Sequence, residues 1–377
     1  GMMGLLGPDG LTSGDVHDVL DLCLSCKACK SECPSSVDMA KLKSEWLHLY
    51  QQKTGTPMRS RVFANIAKLN QVGRITRPIT NMMLKGPAKW VMSQMGVHPK
   101  RTLPTLANQS FSAWWRKRPH PPSPSAIPVV GNGEGGLRGS VVLFHDTFME
   151  HNHPQIGVAA VKVLEAAGYE VIVVEKHVCC GRPAISKGLL DLAKGLAAAN
   201  IELLAPYAKR GIPIVGLEPS CIGALVDEYP DLVPGEDAKA VAGASMLLDD
   251  FIAQEAAGGK LKLELDETPR RVLLHGHCHQ KALFGTAGTV AMLKLIPNVT
   301  VQEVESSCCG MAGSFGYETE HYELSMQLAE MSLAPAVRAA DAETIISAPG
   351  TSCREQIEHT TDRAPVHPIQ VLADALR

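Results

Sequence analysis

A chain of 377 residues with 45% hydrophobic and 20% charged side chains can bury a sizeable core over two or three domains, which excludes a disordered chain. No apolar run reaches the roughly 18 residues needed to cross a bilayer, and no signal-peptide pattern opens the chain. The net charge of −3 hides an asymmetry: residues 1–118 hold 17 basic and 7 acidic side chains (+10), and the remainder 19 and 32 (−13).

In chain order, Gly14 to Leu24 reads as a short amphipathic helix with Thr12 or Ser13 as its cap. Val37, Leu42, Trp46, Leu49 and Tyr50 recur at near-helical spacing from Ser36 to Gln52. Arg59–Asn70 and Asn81–Gln94 are weaker helical stretches, with breaks expected at Gly73, Pro78 and Gly86. From Trp46 to Arg118 there are 13 Lys/Arg and no Asp or Glu, in a stretch that also carries Trp90, Trp114 and Trp115. Such a face suits a charged partner, an anionic lipid surface, or the acidic remainder of the same chain; no nucleic-acid-binding motif accompanies it. Residues 98–139, with Pro119, Pro121, Pro122, Pro124 and Pro128 followed by Gly131, Gly133, Gly135 and Gly136, read as a linker.

Beyond Ser140 the pattern changes to short β-branched runs between Ala/Leu-rich helices. Val141–Phe144, Val171–Val174, Ile212–Val215, Val272–Leu274, Val299–Val304 and Thr344–Ile346 are the expected strands, with helices such as Ile156–Ala167 and Leu189–Ala208 between them. This alternation predicts α/β folding with parallel sheets. Three motifs recur in order: VLFHDTF (142–148) with LLHGHCH (273–279), HVCCGRP (177–183) with SSCCGMA (306–312), and GLEPSC (216–221) with SAPGTSC (347–353). The intervals agree closely, 32 against 30 positions from Thr147 to Cys179 and Cys278 to Cys308, and 41 against 44 from Cys180 to Cys221 and Cys309 to Cys353. Two related α/β halves, 140–258 and 259–377, are the simplest account, after a helical region over 1–97.

Eleven cysteines, an odd number with two adjacent pairs and no secretion signal, argue against a disulfide framework. In a reducing cytoplasm they are metal ligands or redox groups, with buried free thiols as the bland alternative. Cys23-x2-Cys26-x2-Cys29-x3-Cys33-Pro34 has the spacing that wraps a [4Fe–4S] cluster; zinc prefers two pairs across a longer loop. In that geometry the fourth cysteine points away, so Cys33 either closes the same cluster or serves another.

Cys278, Cys308, Cys309 and Cys353 fall on loops expected at the carboxyl ends of strands, where they could hold a second cluster or a zinc ion. Cys179, Cys180 and Cys221 repeat three of these, but Thr147 stands where the fourth cysteine is expected. His145, His177 or a water could complete that set, or the copy is metal-free. His275, His277 and His279 alternate like a strand, so at least one is expected to face the thiols.

The runs CLSCKACKSECPSSVDMAKLK, LEPSC, HCHQKAL and CCGMAGSFGYE together resemble the C-terminal iron–sulfur part of FAD-linked D-lactate and D-2-hydroxyglutarate dehydrogenase-like flavoproteins. More distantly, the chain is similar to the iron–sulfur subunit of glycolate oxidase and the Cys-rich subunit of heterodisulfide reductase. The resemblance implies a ferredoxin-like helical region, with Cys23, Cys26, Cys29 and Cys33 as cluster ligands. It also implies electron transfer from an FAD-containing domain or subunit to a quinone or soluble carrier, with no catalytic residue on this chain. Gly350 replaces the first cysteine of the usual closing C-x2-C pair, which with Thr147 favours a simpler cluster, or none, over the unusual one of heterodisulfide reductase. A thiol–disulfide enzyme of the heterodisulfide reductase type is the alternative function. The chain carries no FAD-binding domain, and the resemblance suggests a fragment or a separate subunit. It is expected in the cytoplasm, at most peripheral on the inner face of the membrane.

Overall fold

The expected strands form, and all of them run parallel. The computed structural model describes residues 10–118 and 139–377. β1 (Gly139–Phe144), β2 (Tyr169–Ile172), β3 (Ile214–Gly216) and β4 (Ser245–Leu247) make one sheet in the order β2-β1-β3-β4. β5 (Arg270–Leu274), β6 (Val299–Glu303) and β7 (Ile345–Ser347) make a second in the order β6-β5-β7. Val141 stands opposite Val171, and Val272 opposite Val301, so the repeated motifs occupy the same register in both halves. β4 was not expected, since three residues inside an Ala-rich passage carry no alternation. Its counterpart in the second half is a single parallel bridge from Ser347 to Val366.

Alternate residues of each first strand face opposite cores, as the pleat requires. Val141 and Leu143 of β1 join Val272 and Leu274 of β5 in one central cluster with Leu248, Ile252, Leu293 and Leu372. Val142 and Phe144 face an outer core with Ile201 and Leu204, while Leu273 faces another with Ile346 and Val337. Each sheet is therefore covered on both faces, which its nearly continuous apolar strands demand.

The N-terminal helices are α1 (Gly14–Asp21), α2 (Ala28–Glu32), α3 (Met39–Thr54), α4 (Met58–Ala64), α5 (Ile66–Ile75), α6 (Arg77–Lys85) and α7 (Pro87–Gln94). Asp38 caps α3 through Lys41 N–H, whereas the expected cap Ser13 makes no side-chain bond to α1. Two expected helices each resolve into a pair, broken at Asn65 and at Gly86. Gly73 does not break α5; instead it lets α5 approach its neighbours, because a Cβ there would lie 3.1 Å from Thr80 and 3.2 Å from Leu106. Pro78 sits in the first turn of α6, where its missing N–H costs nothing.

Residues 119–138 of the expected linker, with all its named Pro and Gly, lie outside the described residues. The part before them forms α8 (Phe111–Lys117), whose Phe111 is fully buried in the central cluster. Buried polar side chains tie the N-terminal helices to both halves. Lys27 Nζ reaches Asp38 (3.1 Å), Asp227 (2.6 Å) and Glu228 (2.7 Å). Arg101 donates to Gly316 O (2.7 Å), Gln356 Oε1 (2.8 Å) and Ser325 Oγ (2.8 Å).

Candidate metal centre

The four cysteines of the second half come together. Cys278 begins the helix Cys278–Leu283 after β5, Cys308 and Cys309 follow β6, and Cys353 lies in the helix after β7. Cys278 and Cys308 act on one another's thiols, as do Cys308 and Cys309, and Cys309 and Cys353, the last two with sulfurs within 4.8 Å of each other. Gly310 donates its N–H to Cys308 Sγ at 3.4 Å. Its φ of +86°, and the 2.4 Å that a Cβ would leave to Ser325 O, admit only glycine. Hydrogen bonding to Cys308, then burial, hold the Cys278 thiol well above its usual range. A largely buried set of soft donors, with Cys278 partly exposed, suits a soft, positively charged group, and these residues fit an iron–sulfur cluster.

The three histidines beside Cys278 separate in role. β5 ends at Leu274, so His275 to His279 turn into a helix rather than alternating as a strand. His275 is the one that faces the thiols, its ring nitrogen and the sulfurs of Cys309 and Cys353 lying within 4.8 Å of one another. Its Nδ1 meets Ser306 Oγ at 2.9 Å, and its Nε2 has no partner. His277 accepts His279 N–H at Nδ1, which turns the other edge of its ring toward Gly350. A Cβ on Gly350 would lie 2.2 Å from His277 Cδ2, so the imidazole occupies the space that any side chain at 350 would need.

The first half reproduces this layout with one donor changed. Cys180 and Cys221 sulfurs are 3.0 Å apart, and Cys180 acts on the thiol of its neighbour Cys179. Thr147 stands where Cys278 stands in the second half. Its hydroxyl is close enough to act on the Cys179 thiol, but makes no hydrogen bond of regular geometry. Three thiols and a hydroxyl fit a cluster less well than the four thiols of the second half. Gly181, with φ of +85°, repeats Gly310.

The N-terminal run forms a strained loop directly against the second half. Ser25 (φ 51°) and Lys27 (φ 64°) flank Cys26 in the left-handed region, which costs non-glycine residues about 1 kcal/mol or more each. Burial pushes the Cys26 thiol up, Ala28 N–H pulls it back, and Cys278, Cys23 and Cys29 all bear on it. Cys29 Sγ accepts Met39 N–H at 3.3 Å. Cys33 stands apart, with N–H groups of Val37 and Ser35 pulling its pKa down and no other thiol acting on it. His279 Nε2 lies 2.8 Å from Ser25 O and ties the loop to the helix of Cys278.

A cleft of ≈ 640 Å³, its open mouth included, lies where the two sites meet, lined among others by Cys23, Lys43, Lys187, Cys278, His279 and His321. Lys43 Nζ donates to Asp21 O (3.2 Å) and Cys23 O (2.8 Å). Lys187 pairs with Glu318, and Arg182 with Glu228. Lys43, by contrast, donates only to backbone carbonyls in these contacts. Sequence reasoning missed all three cations, because their partners are distant in the chain and no local motif announces them.

The cysteine-rich domain family (CCG) matches residues 142–226 and 272–358, one match in each half. An anaerobic glycerol-3-phosphate dehydrogenase subunit from Escherichia coli (strain K12) is 30% identical over 326 residues, 86% of this chain and 78% of that one. The probable glycolate oxidase iron–sulfur subunit of Bacillus subtilis (strain 168) is 27% identical, across 92% of this chain and 77% of its own length. D-2-hydroxyglutarate dehydrogenase of Escherichia coli (strain K12) is 24% identical across 97% of this chain, which spans 35% of that longer protein. No helix among the described residues is long and apolar enough to cross a membrane. With two matched cysteine-rich repeats and this degree of identity, the chain belongs to the family of CCG iron–sulfur subunits that includes those of anaerobic glycerol-3-phosphate dehydrogenase and glycolate oxidase.

Proposed function

We propose that this chain is the electron-transfer subunit of a flavin-dependent dehydrogenase acting on a small hydroxy compound, a 2-hydroxyacid in the first instance. The observation that carries this reading is the junction of the two cysteine sites: Cys26 and Cys278 bear on each other, and the His279–Ser25 bond fixes their loops together. Cys23, Cys26 and Cys29 would hold one [4Fe–4S] cluster, and Cys278, Cys308, Cys309 and Cys353 a second. A cluster supplies one-electron transfer at a potential set by burial and hydrogen bonds to sulfur. The chain's own residues position the ligands, exclude water and balance charge. Cys33 would ligate a cluster completed by other cysteines, and Cys179, Cys180 and Cys221 form a set that lacks its fourth thiolate.

FAD and substrate belong to a partner domain or subunit in this reading, and electrons leave to a quinone or soluble carrier. The docking face is the acid-free stretch of α5–α7, where Ile75 (83% exposed), Ile79, Met82 and Trp90 (70% exposed) stand among lysines and arginines. We place the chain in the cytoplasm, its contact with the membrane no more than peripheral. The alternative of a disulfide-reducing enzyme draws less support. Hydrogen bonding to Cys180, then burial, hold the Cys179 thiol well above its usual range, and a protonated buried thiol is a poor nucleophile.

Anaerobic purification with iron and sulfide counting, and EPR of the reduced protein, test the proposal. About four irons mean one [4Fe–4S] cluster and about eight mean two. Protein prepared without oxygen beside its flavoprotein, yet colourless and free of iron, overturns it.

A further inference from the structure

Three imidazoles stand together near the first half, two of them, His145 and His177, the ones the sequence offered as a fourth donor to Cys179, Cys180 and Cys221. His145 follows β1, His151 ends the helix Thr147–His151, and His177 lies two residues before Cys179. The ring centres of His145 and His177 are 5.1 Å apart, and those of His151 and His177 5.6 Å. Both nitrogens of His145, Nδ1 of His151 and Nε2 of His177 are buried without a hydrogen-bond partner. Interiors rarely leave even one such atom unmatched, and here four collect in one place.

The spacing has a simple reading. With metal–nitrogen bonds of about 2.0–2.1 Å, imidazoles on one tetrahedral zinc-like ion stand with their ring centres about 5 Å apart. A carboxylate completes the group. Glu150 is buried, its Oε2 accepting Ser112 N–H (2.9 Å) and Ser112 Oγ–H (2.8 Å), and its charge bears on both His151 and His177. Arg74 is the cation that faces the cluster from α5; it donates to Ala107 O at 3.3 Å.

We propose that His145, His151 and His177, with Glu150, form a binding site for a divalent metal ion of the zinc class, distinct from the thiol sites. No three of these donor atoms lie within 4.8 Å of one another, as those of His275, Cys309 and Cys353 do, so taking up the ion would require the rings to turn about χ2, a broad torsion. Ring nitrogens on all three imidazoles lack a hydrogen-bond partner, which leaves lone pairs free for a cation. The donors come from the residue after β1, the helix Thr147–His151 and the loop before Cys179, while Ser112 holds Glu150 from α8. His151 O also accepts Ala107 N–H at 2.9 Å.

The test uses the full chain, prepared without oxygen, its iron and sulfide counted, freed of loosely held metal with EDTA and titrated with Co²⁺. One equivalent should bind with visible d–d bands and without the intense near-ultraviolet band of thiolate-to-cobalt charge transfer. His145→Ala and His151→Ala should each weaken binding by about 100-fold or more, since loss of a mere outer partner already costs about 10–100-fold. Iron and sulfide content should not change, and Cys179→Ser should leave cobalt binding intact. Glu150→Gln, which keeps an acceptor for Ser112, guards against misfolding: it should weaken cobalt binding while the Tm in EDTA stays that of the parent. Absence of bound cobalt, a thiolate charge-transfer band, or histidine variants that bind like the parent would each overturn the assignment.

Discussion

The Nε2 of His279 lies 2.8 Å from the carbonyl oxygen of Ser25, so one imidazole joins the first cysteine loop to the helix that begins at Cys278. Burial lowers the pKa of His279 well below its usual range. The neutral ring therefore donates from Nε2, and its Nδ1 is left without a partner.

Removing that donor should loosen the loop. His279→Ala costs about 1 kcal/mol of hydrogen bonding, and the cluster signal assigned to Cys23, Cys26 and Cys29 should decay several-fold faster in air. His279→Gln, which keeps an N–H donor, should restore much of the lifetime. EPR intensity against time of exposure measures both, and equal decay in all three proteins would refute the link.

Lys27 is a second fastener of the same loop. Its ammonium, almost wholly buried, is shared by Asp38, Asp227 and Glu228. Lys27→Met leaves three carboxylates without that cation and should destabilise the protein by about 3–5 kcal/mol, the scale for breaking a buried ion pair. Urea unfolding should show a lower midpoint, and Asp227→Asn should cost less because Lys27 keeps two partners.

His321 supplies a pH dependence. Burial disfavours its charge, but hydrogen bonds to Asp21 (2.9 Å) and Glu318 (3.1 Å) outweigh it and raise its pKa to about 9. Glu318 is likewise opposed by burial, yet His321 and Lys187 hold it down to about 2. A raised histidine stabilises fully below its unfolded value of 6.5 and loses that contribution as pH rises through about 9. The lowered carboxylate stabilises fully above 4.5 and loses its share as pH falls through about 2. The anchorage of α1 is thus strongest between pH 4.5 and 6.5. The Tm difference between the parent and His321→Gln should shrink from pH 6.5 to 10, and a constant difference would contradict this account.

Thr147 offers a gain-of-site experiment. Thr147→Cys would complete the first set of thiols in the arrangement already present in the second half. The variant should take up about four further irons on reconstitution with iron and sulfide. Cys353→Ser should remove iron from the second half alone. A Thr147→Cys protein with the parent's iron content would show that the first half has lost more than one ligand.

The exposed face of α5–α7 should tolerate charge without unfolding. Ile75→Glu and Trp90→Glu change residues that are 83% and 70% exposed, so the Tm should move little. Retention of the flavoprotein on pull-down should fall at least several-fold, and unchanged retention would place the docking surface elsewhere.

Much of this site could be read before any coordinates, because cysteine spacing and strand-end position are local properties. That Cys278, Cys308, Cys309 and Cys353 would meet was expected from their places on loops at the carboxyl ends of strands. Helix ends were less legible: nothing in the Arg59–Asn70 pattern marks Asn65 as a break, and Gly73, read as a breaker, serves a close helix approach. β4 escaped notice because its three residues hold their place by pairing with β3, not by their own preference. Least visible were the long-range partners. Lys27 meets Asp227 across 200 positions, and the need for glycine at 350 makes sense only once the ring of His277 is seen filling the space beside it.

Val141 and Leu143 of one sheet share their interior with Val272 and Leu274 of the other. Duplication therefore left two copies that are no longer separable: each has given one side of its sheet to its sibling. Severed near residue 259, neither piece could hide its greasy surface in isolation, whereas the two pieces expressed together should find each other and melt as one body.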